Sequence, residues 1–125
     1  MAQQQVVPML HVPDTDVRAT VDWYQSIGFA VLNTFEDDGE INFALLSYGN
    51  SQIMVTGGGQ PSQEDRREVD LYIHTDDVQR LFDDLKNHVE IRIGLENTFY
   101  GTREFVIRDP NRFWLTFGQN VAEAP

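Results

Sequence analysis

Two histidines and an aspartate are the side chains of this sequence best suited to bind a metal ion. His11 and His74 occupy matching places in two similar segments, Met9-Leu10-His11-Val12 and Tyr72-Ile73-His74-Thr75. Strand alternation places His74 on the same face as Asp70. Two imidazoles and a carboxylate are typical ligands of an open divalent metal site. A metal site at His11, Asp70 and His74 is one hypothesis, and the alternative is that both histidines are polar cleft or surface residues.

Other catalytic schemes have little support in the sequence. The chain has no cysteine, which excludes disulfides, thiolate metal sites and a cysteine nucleophile. No serine lies in the context of a nucleophile elbow. Glu104 and Asp70 could act as acid and base, but the sequence does not fix their separation. His88 follows a predicted helix, where an imidazolium is favourable.

Aromatic and acidic side chains are predicted to share strand faces that could line a cleft. Such a cleft would suit an aromatic or amphipathic cation through stacking and cation–π attraction. The alternative is that rings such as those of Trp114, Phe105 and Phe113 belong to the core. The candidate ligand-binding residues on these faces are Phe35, Phe43, Asp70, Tyr72, His74, Trp114, Thr116 and His11.

Around these side chains the sequence predicts a single domain, 1–125, built from two similar halves. The first half, 5–56, is predicted to contain a helix at 15–27, where apolar residues recur at helical spacing. Its strands are predicted at 5–12, 29–35, 41–48 and 51–56, with turns at 37–39 and 49–50. The segment 57–67 lacks apolar periodicity and is predicted to be an exposed, flexible linker.

The second half, 68–118, repeats this plan. A strand at 68–75 is followed by a helix that Asp76 or Asp77 caps. A short strand at 90–93 and a hairpin of 103–108 with 112–118 complete the half, and the tail from Asn120 is predicted to be loose. The apolar face of this helix is predicted to consist of Val78, Leu81, Phe82 and Leu85.

Matched landmarks in the two halves indicate an internal duplication. Asn33-Thr34-Phe35 resembles Asn97-Thr98-Phe99, and the spacing from Phe43 to Gly57 is similar to that from Phe105 to Gly118. The predicted fold is therefore α+β, with two βαβββ repeats forming a cupped eight-stranded mixed sheet and helices on its convex face. Ligand, loops or another subunit would then fill the concave face.

Charge and hydropathy restrict the partners. The net charge is −11 and Lys86 is the single lysine, so nucleic acid is a poor candidate partner. A negative field favours a cationic ligand, although acidity can also serve solubility alone. No apolar run is long enough to span a membrane, and the first residues lack the features of a signal peptide. A cytoplasmic location is the expectation.

Two motifs resemble those of a known family, the vicinal oxygen chelate superfamily of glyoxalases, bleomycin-resistance proteins and dioxygenases. The first motif is similar to the start of the family pattern. It consists of Val12-Pro13-Asp14, Thr20-Val21-Asp22-Trp23-Tyr24 and Ile27-Gly28-Phe29. The segment from Tyr100 to Pro110 is similar to a motif of the bleomycin-resistance branch. The turn Asp109-Pro110-Asn111-Arg112 lacks the glycine usual there.

The resemblance implies four metal-ligand positions, but the residues there argue against a metal. These positions correspond to Val7, Met54, Asp70 and Thr116, of which Asp70 alone carries a usual ligand. A divalent ion needs three or four such donors. The expectation is therefore a protein with no metal and no cofactor.

The function predicted by the resemblance is that of a metal-free small-molecule-binding protein like the bleomycin-resistance proteins. It would sequester an aromatic or cationic ligand in the groove of a homodimer, with Tyr100 at the place of a groove tryptophan. One alternative is a metal-dependent glyoxalase-type lyase or dioxygenase of the same superfamily. Another is a non-catalytic, partner-binding dimer with a filled cleft.

Overall fold

A computed structural model describes residues 4–122, which divide into two compact units. The first unit extends to Pro61 and the second begins at Ser62. Each contains one four-stranded mixed sheet and one α-helix, so the predicted α+β fold with two βαβββ repeats is confirmed. The eight strands form two hydrogen-bonded sheets of four. Neither α-helix is long and apolar enough to cross a membrane.

The first unit follows the predicted order of elements. Its elements are β1 (Met9–His11), a 3-10 turn (Asp14–Asp16), α1 (Val17–Ser26), β2 (Ala30–Asp37), β3 (Glu40–Tyr48) and β4 (Ser51–Thr56). The strand order is β1-β4-β3-β2, with β1 and β4 parallel and the other pairs antiparallel. Gly28, at a φ of 116°, follows the end of α1 because few other residues adopt that conformation.

One face of the first sheet forms a core with α1. Val17, Val21 and Tyr24 of α1 are buried, as are Ala44 and Leu46 of β3. Because side chains alternate along a strand, the intervening residues of β3 lie on the opposite, open face.

The second unit has the same plan and the same strand order. Its elements are β5 (Leu71–His74), α2 (Val78–Leu85), β6 (Glu90–Asn97), β7 (Thr102–Arg108) and β8 (Trp114–Asn120), in the order β5-β8-β7-β6. The Asp77 side chain accepts a hydrogen bond of 3.2 Å from the Arg80 amide, which confirms the predicted cap. On the α2 side of the sheet, Phe105 lies 5.2 Å from Phe82 and 5.1 Å from Phe117 between ring centroids.

Strand register confirms the duplication but corrects one of its landmarks. Met9 pairs with Met54 in the first sheet as Tyr72 pairs with Thr116 in the second. In this register the counterpart of Phe43 is Glu104, because these residues pair with Thr56 and Gly118 respectively. The match of Phe43 with Phe105 is therefore wrong by one residue, and a slip of one residue exchanges the two faces of a strand.

Three strand boundaries differ from prediction by three residues or more. β1 starts at Met9 instead of 5, and β5 starts at Leu71 instead of 68. The carboxylate of Asp70 forms an ion pair with Arg66, four residues before it, where the strand was expected. β6 extends to Asn97 instead of 93. The prediction stopped early because irregularities between Ile91 and Glu96 interrupt the alternation by which strands are recognised.

Hydrogen bonds hold each end of the segment 57–67 to the unit that it belongs to. The Gly58 amide donates to Asp14 Oδ1 at 2.7 Å, and the Gly59 amide donates to the Val12 carbonyl at 3.0 Å. At the other end, Arg112 Nη1 donates to the carbonyl of Glu64 at 2.8 Å. The composition of the segment predicted its exposure and not these contacts.

Two further differences concern the turn between β7 and β8 and the C-terminal tail. Arg112 occupies the turn position where the resemblance implies a glycine, and it adopts a left-handed φ of 73°. This costs roughly 1–2 kcal/mol, which its contacts to the 63–64 carbonyls offset. The tail was predicted to be loose from Asn120, but Asn120 ends β8 and the Val121 amide donates to the Gly101 carbonyl at 2.9 Å. Its last residues, 123–125, lie outside the described part.

Truncating Phe105 to alanine is expected to destabilise the protein by about 3–5 kcal/mol, because a ring that is 0% exposed leaves a cavity. Phe99, which is 100% exposed, provides the matched control and should change the free energy of unfolding by less than about 0.5 kcal/mol. Urea unfolding followed by circular dichroism measures both. Similar losses for the two variants would contradict the assignment of the core.

Candidate functional site

The open face of the second sheet carries a cluster of polar side chains on its central strands. Glu104 of β7 lies opposite Gly118 of β8, and Tyr72 of β5 lies opposite Thr116 of β8. The Tyr72 side chain passes over Gly118 and reaches Glu104, so the cluster spans three adjacent strands. Because Phe105 faces α2, alternation places Glu104 on the side that α2 leaves open.

Glu104 is the centre of this cluster. Its Oε2 accepts hydrogen bonds from the Tyr72 hydroxyl at 2.6 Å and the Thr102 hydroxyl at 2.7 Å. Its Oε1 accepts one from the Tyr100 hydroxyl at 2.7 Å. Glu104 is only 6% exposed, and no ion pair between residues 4 and 122 includes it. The described part of the chain thus surrounds a buried carboxylate with hydroxyl groups instead of a cation.

These contacts keep Glu104 ionised. Burial raises the pKa of Glu104, but the hydrogen bonds from Tyr72, Tyr100 and Thr102 outweigh burial and leave that pKa below its ordinary value. A lowered pKa means that the carboxylate stabilises the fold above its unfolded pKa, and this stabilisation is lost as pH falls through the folded pKa. At neutral pH the site therefore holds a full negative charge.

The two tyrosines respond in the opposite sense. Partial burial and the hydrogen bond to Glu104 raise the pKa of Tyr72 to about 12. The hydrogen bond to Glu104, followed by burial, also raises the pKa of Tyr100. Both hydroxyls consequently keep their protons at neutral pH and donate them to the carboxylate.

The short connection between β6 and β7 presents Tyr100 to solvent. The hydroxyl oxygens of Thr98 and Thr102 lie 2.8 Å apart, and the Thr98 amide donates to the Thr102 carbonyl at 2.7 Å. Gly101 completes the connection at a φ of 92°. Tyr100 is 58% exposed, and its ring meets the fully exposed ring of Phe99 edge to face.

The structure brings together several of the predicted ligand-binding residues. Tyr72, Tyr100 and Thr116 lie on or beside the open face of the second sheet. The His74 ring is 5.0 Å from that of Tyr72, in an edge-to-face arrangement. Their use in binding stays a prediction.

Trp114 and Asp70 have contacts of a different kind. The guanidinium of Arg66 lies 4.4 Å from the centre of the Trp114 ring, and that of Arg92 lies 5.6 Å away. The indole N–H donates to the Asp65 carbonyl at 2.9 Å, while Asp70 binds Arg66. Cations of the chain itself thus already contact the ring that was predicted to bind ligand.

The other predicted residues belong to the first unit. Phe35 pairs with Phe43, and His11 pairs with Thr56, on the open face of the first sheet. His11 Nδ1 lies 3.2 Å from the Gly57 carbonyl oxygen. This face presents rings and methyl groups and lacks a counterpart of Glu104 at the position of Phe43.

Three of the four residues at the metal positions that the resemblance implies do not suit a divalent ion, and the fourth, Asp70, is paired with Arg66. Val7 and Met54 of the first unit offer a hydrocarbon and a thioether, and Thr116 offers a neutral hydroxyl. Across residues 4–122 there is no group of three or more histidine, aspartate or glutamate side chains placed to hold a metal. The hypothesis of a site at His11, Asp70 and His74 therefore gains no support.

Sequence reasoning considered Glu104 as an acid or base and missed its role as the centre of a cluster. The spacing of Tyr100, Thr102 and Glu104 at alternate positions was the available signal, since alternate residues share a face. The contribution of Tyr72 had no such signal, because it comes from a strand 32 residues away.

Comparisons with known proteins agree with the fold. The family model described as Glyoxalase/Bleomycin resistance protein/Dioxygenase superfamily matches residues 5–117. TioX from Micromonospora sp. ML1 is 25% identical, with a TM-score of 0.75 over 94% of this chain and 99% of that chain. A protein of unknown function from Agrobacterium tumefaciens str. C58 is 27% identical, with a TM-score of 0.71 over 96% of each chain.

A bleomycin-binding protein from bleomycin-producing Streptomyces verticillus, complexed with copper(II)-bleomycin, has a TM-score of 0.65 to this chain. It is 20% identical, and the match covers 94% of this chain and 96% of that chain. This likeness concerns the fold alone. No curated protein matches the chain.

Replacing Glu104 with glutamine is expected to lower the pKa of Tyr72 from about 12 toward its ordinary value of 10.0, because the negative hydrogen-bond acceptor is removed. Alkaline titration of tyrosinate absorbance, with Tyr72→Phe used for assignment, measures the change. In the unchanged protein the hydrogen bond from Tyr72 to Glu104 stabilises the fold. Because the pKa of Tyr72 is higher in the folded than in the unfolded protein, this stabilisation is complete below pH 10 and disappears as pH rises through about 12. Glu40→Gln, at an exposed position of β3, should leave the pKa of Tyr72 unchanged, and an equal shift in both variants would contradict the assignment.

Gly118→Ala is expected to detach Tyr72 from Glu104 without preventing folding. The new Cβ would overlap the Tyr72 hydroxyl and lie 2.8 Å from its Cζ, but a side-chain end can move aside. Gly94→Ala, where nothing lies within 4 Å, is the matched control. The same alkaline titration should show a lowered pKa of Tyr72 in Gly118→Ala alone. An unchanged Tyr72 titration in that variant would show that the ring does not cross Gly118.

Proposed function

Because the chain belongs to the glyoxalase/bleomycin resistance protein/dioxygenase superfamily, we propose that it is a metal-free small-molecule-binding protein. It sequesters an aromatic or cationic ligand and does not convert it. The observation that carries this proposal is the Glu104 carboxylate, buried among hydroxyl groups and flanked by the half-exposed rings of Tyr72 and Tyr100.

The charges and the rings of this site favour the same kind of ligand. Residues 4–122 supply no counter-charge to this buried anion, and it attracts a cation more strongly than an exposed one would, because solvent screens it less. The faces of Tyr72 and Tyr100 carry the negative side of their quadrupoles, which also attracts cations. The net charge of −11 adds a long-range field of the same sign.

Binding without turnover agrees with the residues at the family's metal positions. Val7, Met54 and Thr116 replace the donors that a superfamily lyase or dioxygenase would need. A metal-dependent enzyme is the second function that the superfamily suggests, but three of the four positions lack a metal ligand. The bleomycin-binding protein of Streptomyces verticillus, which shares the fold, makes a bleomycin-type compound the first ligand to test.

We also propose that the protein acts as a cytoplasmic homodimer with the ligand in a groove that the dimer forms. Exposed apolar side chains support association, since such side chains are favoured at interfaces between chains. They include Met9, Leu32 and Phe35 of the first unit, each about half exposed or more.

Titration with a bleomycin-type compound and a panel of aromatic amines tests binding directly. Trp23 and Trp114 fluorescence or calorimetry should show saturation at a fixed stoichiometry, with the ligand recovered unchanged. Tyr100→Ala should weaken binding by about tenfold, because stacking and cation–π contacts are worth roughly 1–2 kcal/mol. His88→Ala, which removes an exposed ring next to α2, should not.

Two results would contradict the proposed function. A flat response to the whole panel would show that the site binds no such ligand. Near-stoichiometric zinc, nickel, iron or manganese in elemental analysis of the purified protein, together with ligand turnover, would favour the enzyme instead.

A further inference from the structure

The carboxylate of Glu104 has one hydrogen-bonding position that the described chain leaves open. A carboxylate offers about four lone-pair sites, two on each oxygen. Oε2 accepts from Tyr72 and Thr102, whereas Oε1 accepts from Tyr100 alone. One acceptor position therefore remains on Oε1, next to Tyr100, the more exposed of the two rings.

The hydroxyl groups around the carboxylate are also left as acceptors. Tyr72 and Tyr100 each have a single hydroxyl proton, and each donates it to Glu104. Their raised pKa values keep those protons in place at neutral pH. Each phenolic oxygen still has lone-pair capacity for an incoming donor, so among residues 4–122 these two tyrosines and Glu104 present oxygen acceptors and no free proton.

We propose that this site binds the protonated primary amine of the ligand. Three acceptors, namely Oε1 of Glu104 and the hydroxyl oxygens of Tyr72 and Tyr100, match the three N–H donors of an ammonium group. The positive charge neutralises the buried carboxylate, and charge-assisted hydrogen bonds are stronger than neutral ones. The inference rests on the proposed function, which it narrows from cations in general to those with N–H donors.

The acceptor pattern sets this site apart from two simpler alternatives. A site that used cation–π attraction alone would bind a quaternary ammonium as well as a primary one, since both carry the same charge. A purely structural cluster that fixes the 98–101 connection would show no preference among ligands. A carboxylate or carbonyl ligand would meet only acceptors and would be rejected.

Three probes with the same ring separate these cases: 1-naphthylmethylamine, its N,N,N-trimethylammonium analogue and 1-naphthalenemethanol. Calorimetry on the protein of residues 1–125 at neutral pH should give a Kd for the amine at least about tenfold lower than for either analogue. Glu104→Gln should raise the amine Kd by about tenfold or more and leave the alcohol Kd within about twofold.

Two further variants make the test independent of the folding of Glu104→Gln. Tyr100→Phe keeps the exposed ring and exchanges the acceptor on the hydroxyl for a second open position on Oε1, so the amine should still bind with a Kd at least about tenfold lower than the quaternary analogue. Glu40→Gln removes an equal charge from an exposed strand position and should leave all three affinities unchanged. Circular dichroism verifies that each variant is folded.

The outcomes distinguish this inference from the proposed function. Equal affinity for the primary and quaternary amines would overturn the inference and leave a cation-binding protein. If the amine fails to bind while a bleomycin-type compound still binds, the ligand binds elsewhere, and this result would also overturn the inference. Failure of every compound, including the broad panel, would end the proposed function itself.

Discussion

The hydrogen bond from Tyr72 to Glu104 across Gly118 is the interaction on which the second unit's open face depends. It joins β5 to β7 over the backbone of β8, and it requires a residue without a side chain at position 118. With Tyr100 and Thr102 it keeps a buried carboxylate ionised without a cation. Everything inferred about the ligand follows from this uncompensated charge and from the direction in which its hydrogen bonds point.

Duplication gave the chain two equivalent open faces, and their chemistry has diverged. At matching register positions the first sheet carries Met9, Met54 and Phe43, where the second carries Tyr72, Thr116 and Glu104. The apolar set offers contact area, and the polar set offers acceptors and charge. The helix-covered faces stayed alike because both must be filled by buried apolar side chains. Specificity could therefore change in one repeat without loss of either core.

Local signals in the sequence predicted much of the fold, and long-range contacts decided the rest. The Asp77 cap and the helix after it are specified by neighbouring residues, so they were predictable. The register that places Phe43 opposite Thr56 depends on pairing between strands, which landmark spacing does not fix to one residue. The same limit hid the cluster at Glu104 and the arginines that cover Trp114, because their partners are distant in sequence.

Carbon-13 NMR of the Glu104 side-chain carboxyl, in protein labelled at glutamate, measures the central claim most directly. The account predicts that this carbon titrates below the ordinary glutamate range near 4.3, and that adding 1-naphthylmethylamine at neutral pH shifts its resonance saturably. A carboxyl that titrates at or above that range, or a resonance indifferent to the amine, would contradict the account. A pKa at or above that range would mean that burial affects the Glu104 carboxyl more than its three hydroxyl donors do. A resonance that does not respond would mean that the amine does not reach Oε1.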